Sequence, residues 1–126
     1  MKYTGTKTLD AVPMSRGEYN TLRGWTIPEN EDPNDPGYKV VYEDGYVSWS
    51  PKDTFEKAYR ISETPLNRLR IEQEDLEKKL QALTAFAKGK VFNTLEVRMQ
   101  VMLSEQIKAM SDYGWILTQR IKMMDK

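Results

Sequence analysis

The spacing of apolar side chains changes character once along the chain, near Thr64 and Pro65. Before that point apolar residues come in short clusters separated by Gly, Pro, Asn and Asp. The stretch "KYTGTKTLDAV", Lys2 to Val12, is rich in Thr and Tyr with β-branched residues and reads as a strand. In "SRGEYNTLRG", Ser15 and Glu18 have the spacing of a capping box, and Gly24 stands where a short helix stops. "IPENEDPNDPG" is acidic, carries three prolines and reads as a surface loop. "YKVVYEDGYVSWS" sets two β-rich runs around Asp44-Gly45, a strong hairpin signal. In "SPKDTFEKAYR", Ser50 reads as an N-cap, Pro51 as the first helical position and Asp53 as the acid three residues after the cap. That predicts a short helix laying Phe55, Ala58 and Tyr59 on the sheet.

Beyond Pro65 the period is helical. Leu66, Leu69, Gln73, Leu76, Leu80, Leu83 and Ala87 recur at three and four residues, which places one mostly leucine stripe on a long helix. Met99, Met102, Gln106, Met110, Tyr113 and Leu117 repeat the spacing in a second helix, and Leu103, Ile107, Gly114 and Ile121 widen it into a further stripe. Between them "FAKGKVFNTLEVR" forms a joint: Lys88-Gly89 ends the first helix, Asn93 and Glu96 make an N-cap box, and Phe92 is placed to staple onto Val97. The expected architecture is α+β: a small N-terminal antiparallel β-sheet with short helices over residues 1–63, then a long antiparallel helical hairpin over residues 64–126, together one compact unit. A helix pair buries one stripe on each partner, so the extra apolar face of the second helix needs a cover, and self-association supplies it most simply. Gln73 and Gln106 interrupt the seams and are expected to fix register or to hydrogen-bond across a subunit boundary.

Composition narrows the chemistry. The 126 residues include no Cys and no His, which removes thiol nucleophiles, disulfides, imidazole bases and the commonest zinc ligands together. No metal site and no cofactor is expected. No apolar run reaches the roughly 20 residues of a membrane span, and the start lacks the apolar core of a leader, so a cytoplasmic protein without membrane contact is expected. The net charge is zero but unevenly spread. Residues 1–50 carry five basic and eight acidic side chains (−3), residues 51–63 three of each, and residues 64–126 eleven basic and eight acidic (+3). That balance argues against a broad DNA- or RNA-binding face, which needs clustered Lys and Arg.

A small anion is another matter. Between Glu77 and Glu96 there is no acid, while Lys78, Lys79, Lys88 and Lys90 fall there. Taken singly these lysines are solvated helix surface, and aromatic residues at helix ends are usually core. Phe86 beside this basic stretch, an amide and the N–H groups of a helix start nevertheless have the makings of a site for a purine carrying phosphates.

The segments "KYTGTKTLDAVPMSRGEYNTLRGWTIPENEDPNDPGY", "GYVSWSPKDTFEKAYR", "RLRIEQEDLEKKLQALTAF" and "MLSEQIKAMSDYGWILTQRI" resemble phage proteins of the Thoeris anti-defence family, the first type described. The resemblance covers nearly the whole chain, and its last part is similar to the helical-hairpin domain shared with phage anti-CBASS sponges. It implies a non-enzymatic protein acting in the host bacterial cytoplasm, assembling from dimers into hexamers. Such a protein binds cyclic nucleotide immune signals intact: glycocyclic ADP-ribose made by TIR-domain defence proteins and, in some members, cyclic di- and trinucleotides. By that resemblance the base is clasped between Phe86 and Asn93, with Phe92 the alternative aromatic because the turn varies in length, and Arg60 in "AYR" meets phosphate or ribose. Arg98 and Arg120 join them as rigid forks suited to pyrophosphate. "SRGEYN" and "LRGW" offer Arg16, Gly17, Arg23 and Gly24 to a second, cyclic-oligonucleotide pocket, although a helix cap and stop also account for the glycines. The competing readings are an enzyme that degrades such a signal, using carboxylates such as Glu29, Glu31 and Asp32, and a structural phage protein that merely oligomerises.

Overall fold

A computed structural model describes residues 1–125. The chain divides into two compact units, Met1–Arg60 and a helical unit from Ile61 on, where the sequence led us to expect one. The first unit is a three-stranded antiparallel sheet, β1 (Asp10–Pro13), β2 (Gly37–Val41) and β3 (Val47–Pro51), in that order, with helices α1 (Arg16–Arg23) and α2 (Lys52–Ala58). The second holds α3 (Pro65–Ala87), α4 (Lys90–Thr94) and α5 (Val97–Met124). Among the described residues no helix is long and apolar enough to cross a membrane.

In the first unit local signals and structure agree at several points. Ser15 Oγ accepts from the Glu18 N–H (3.2 Å) and the Ser15 N–H donates to Glu18 Oε1 (3.3 Å), closing the capping box at the start of α1. Gly24 ends that helix with φ at 73°, the left-handed conformation that favours glycine. The β2–β3 hairpin turns through Glu43, Asp44 and Gly45. Gly45 donates to the Tyr42 carbonyl (2.9 Å) and takes φ at 88°, while Tyr42 donates to Tyr46 O (2.9 Å). That is a three-residue loop with a left-handed glycine.

Two expectations are corrected. The first strand covers only Asp10–Pro13, paired from Asp10↔Val41 to Pro13↔Tyr38, and residues 1–9 lie in no regular element. Its partner β2 turns away after Val41, so earlier residues have no ladder to join, whatever their β propensity. Ser50 is a β3 residue opposite Tyr38, and Pro51 instead takes the N-cap of α2 with no side-chain cap bond. Phe55 still reaches the sheet, stacked on Tyr38 at 4.4 Å with Tyr59 stacked on it at 5.0 Å, but Ala58 is exposed.

The helical unit begins with a second box: Thr64 Oγ1 accepts from the Asn67 N–H (3.0 Å), Thr64 N–H donates to Asn67 Oδ1 (3.1 Å), and Pro65 follows at the first helical position. Leu69, Leu76 and Leu117 form the core, with Met110 and Ile121 packed against them. Arg70 pairs with Asp125 and Gln73 with Thr118, so α3 and α5 run antiparallel. The α5 stripe against α3 is Leu103, Ile107, Met110, Gly114, Leu117 and Ile121, all buried or half-buried at strict four-three spacing. Met99, Met102 and Tyr113 lie outside it and are exposed. Inside the hairpin the Gln73 amide donates to Thr118 Oγ1 (2.8 Å), and that hydroxyl in turn donates to Gly114 O (3.0 Å), a bond that ties the register of α3 to that of α5. Gln106 is exposed.

Candidate functional site

The joint departs from the local reading. Asn93 is no N-cap. It lies inside α4, a single turn opened by Gly89 and closed by the Leu95 N–H donating to Phe92 O (3.2 Å) and Thr94 Oγ1 donating to Val91 O (2.6 Å). Helix α5 opens three residues later than expected, at Val97, with Glu96 in the N-cap position and no side-chain cap bond. The expected cradle of amides at Asn93 therefore does not form. Phe92 does not staple onto Val97 either, which is 73% exposed. Its ring meets Phe86 edge to face, centroids 6.4 Å apart and planes at 85°, a favoured geometry for two quadrupoles.

This pairing brings Phe86, Phe92 and Asn93 to one end of the hairpin. Phe86, the penultimate residue of α3, keeps 40% of its surface exposed, Phe92 is half-buried and Asn93 is exposed. Lys88 and Lys90 flank Gly89 in the connection. Arg98 follows in the first turn of α5 and is exposed. Arg120 is 22 residues further along the same helix, about 33 Å at 1.5 Å per residue, so one chain cannot bring it to the joint. Arg60 closes the first unit, exposed and engaged in interactions of its own.

The second residue set divides. Arg16 and Arg23 line a cleft of about 540 Å³ in the first unit, together with Tyr19, Asn20, Trp25, Glu31, Tyr46 and Trp49. Arg16 lies over the Trp49 ring at 5.4 Å, and Arg23 over Trp25 at 5.1 Å and Tyr19 at 6.0 Å. Glu31 pairs with Arg16 and accepts from Asn20 Nδ2 (3.4 Å). Gly17 and Gly24 do not line this cleft. Gly17 packs on the proline-rich loop, where a Cβ would come within 2.7 Å of the Pro33 side chain, and its N–H donates to Pro33 O (2.9 Å). The Arg16 N–H likewise donates to Asp35 O (2.9 Å), so loop carbonyls take these first-turn donors of α1. Sequence reasoning missed Tyr19, Trp25, Tyr46 and Trp49 as cleft residues, although Trp25 stands beside Gly24 in the motif that drew notice.

The acidic loop is occupied structurally: Glu31 as above, and Asp32 Oδ1 accepts from the Asn34 N–H (2.9 Å). Among the described residues no three carboxylates gather where a metal ion would sit.

Comparison with curated proteins and with solved structures finds no match. The family described as Sequestin does match, over residues 63–123, a span that runs through both long helices and the joint between them. That match fits an anti-defence family of the sequestering kind, the kind that the sequence resembles.

Proposed function

We propose that the protein binds a cyclic nucleotide immune signal and holds it intact, so that inhibition is mass action rather than chemistry. The observation that carries this is the joint: an aromatic ring propped by a second ring yet left 40% exposed, next to Asn93 and an acid-free run bearing Lys88 and Lys90. Stacking on Phe86 suits a nucleobase, and Asn93 offers both a donor and an acceptor to its edge. Lys88, Lys90 and Arg98 supply charge for phosphates, and glycocyclic ADP-ribose is the first ligand to try. The name of the matching family speaks for sequestration. A sponge needs only affinity and slow release, so the lack of His and Cys costs it nothing.

The protein acts, on this reading, as a phage product in the host cytoplasm and as a homo-oligomer, dimers building to a hexamer. Met102, Trp115 and Ile116 are 61%, 66% and 48% exposed on α5, and further copies of the chain would cover them. A second reading assigns the Arg16–Arg23 cleft to cyclic di- or trinucleotides, favoured by two guanidiniums already stacked on aromatic rings.

One experiment separates the functional classes. The protein is incubated with each nucleotide, freed of unbound ligand and heat-denatured, with and without EDTA. Release of intact ligand is the expected result, altered ligand marks an enzyme, and no ligand marks an assembly protein. Phe86→Ala should weaken binding tenfold or more, because stacking contributes about 1–3 kcal/mol per base. The melting temperature should move little. A large fall in melting temperature with unchanged affinity would instead make Phe86 core.

A further inference from the structure

Gln100, in the first turn of α5, is the residue that ties the joint together. Its Nε2 donates to Leu95 O at 2.8 Å and, at longer range, to Asn93 O at 3.4 Å. Leu95 and Glu96 are the two extended residues between α4 and α5, with ψ of 154° and 139°. Two consecutive extended residues make a natural hinge, and no side-chain cap bond from Glu96 secures its far side. A five-residue helix such as α4 has no independent stability, so its direction depends on such tethers.

The geometry points to Gln100 as a positioning residue of the nucleotide site: one half-buried amide holds the carbonyl end of α4 onto α5, and so sets where Asn93 and Phe92 stand relative to Phe86. This rests on the binding function proposed above. Gln100 is not assigned a contact with the ligand. Its side chain is committed to backbone carbonyls, and it acts through α4. Isolated carbonyls at a helix end are ordinarily left to water, so spending an internal amide on them makes sense where the turn must hold still. A ligand clasped between side chains on two elements loses affinity when one element swings, even with every clasping group present.

The test uses the full chain and the nucleotide that the wild type releases intact on heating. Gln100→Met keeps the length and removes the donor, whereas Gln100→Glu keeps the shape and turns an acceptor toward two carbonyls. Binding should weaken about tenfold in the first and further in the second, while the melting temperature of Gln100→Met stays close to wild type. Backbone amides around Thr94 to Val97 should exchange faster in the ligand-free variant. In a double-mutant cycle, Gln100→Met placed on Asn93→Ala should add little to the loss that Asn93→Ala causes alone. Full additivity, or wild-type affinity in Gln100→Met while Phe86→Ala has lost it, would overturn the role of Gln100 and leave the site standing. If the wild type retains none of the nucleotides, the binding site itself fails and this role with it.

Discussion

In the N-terminal unit the buried hydrophobic side chains are Tyr19 and Val40, and much of the fit around them is made by hydrogen-bonded aromatic edges and close backbone approaches. Trp49 Nε1 donates to Met14 O (2.7 Å), and Gly37 lies where no Cβ has room. In the helical unit the core is Leu69, Leu76 and Leu117, a single aliphatic seam with one polar pair, Gln73 and Thr118, set into it. Units of about 60 residues bury too little apolar surface for comfort. The first adds specific polar and steric constraints, whereas the second leaves large side chains such as Trp115 exposed, the face that the proposed association would cover. The first is therefore expected to be sensitive to steric intrusion, and the second to loss of volume.

The largest effect should come from Leu117→Ala. The side chain is 0% exposed at the centre of the seam, and such truncations cost about 2–5 kcal/mol. Denaturant melts followed by circular dichroism should show the α3–α5 signal lost first, with backbone NMR signals of β2 and β3 unchanged. Simultaneous loss of both would break the contrast between the units.

Gly37→Ala tests the opposite side. The new methyl group would run into the Ser50 carbonyl and the Trp49 ring, an overpacking that costs about 1–3 kcal/mol. The N-terminal unit should melt earlier, and the heat-release assay should still recover joint-bound nucleotide. Loss of that nucleotide would mean that the joint depends on the sheet.

The smallest effect is expected at Tyr38, whose hydroxyl donates to Glu56 Oε2 at 2.6 Å. That bond first, then desolvation, then the carboxylate charge, raises the phenol above its ordinary value of 10.0. A raised folded value stabilises fully below the unfolded one and is lost as pH rises through the folded one. Melting temperatures measured from neutral pH to above 10 should fall more steeply in the wild type than in Tyr38→Phe. Equal slopes would show that the exposed pair is screened by solvent.

Where a feature depends on neighbours three or four residues away, it was legible in advance. The Ser15–Glu18 box, the Gly24 stop, the Asp44-Gly45 turn and the leucine stripe of α3 are all of this kind, since a cap, a left-handed glycine and a helical face are set by local geometry. The candidate site was legible only as a set of side chains. Phe86 and Asn93 stand at one end of the hairpin, but the pairing of Phe86 with Phe92, the extra turn of α4 and the Gln100 tether were hidden by a plausible N-cap pattern at Asn93.

By itself, then, the sequence determined the kind and order of every element except α4, and the charge and chemistry they carry, because propensity, capping and periodicity act within a turn or a hairpin. Tertiary structure decided the length of β1, which stripe of α5 faces α3, the partner of Gln73 and the course of the joint. The first three depend on a partner far along the chain, since a strand exists only as far as another strand answers its hydrogen bonds, and the joint depends on its flanking helices, since a five-residue helix exists only where a ring and an amide from its neighbours hold it.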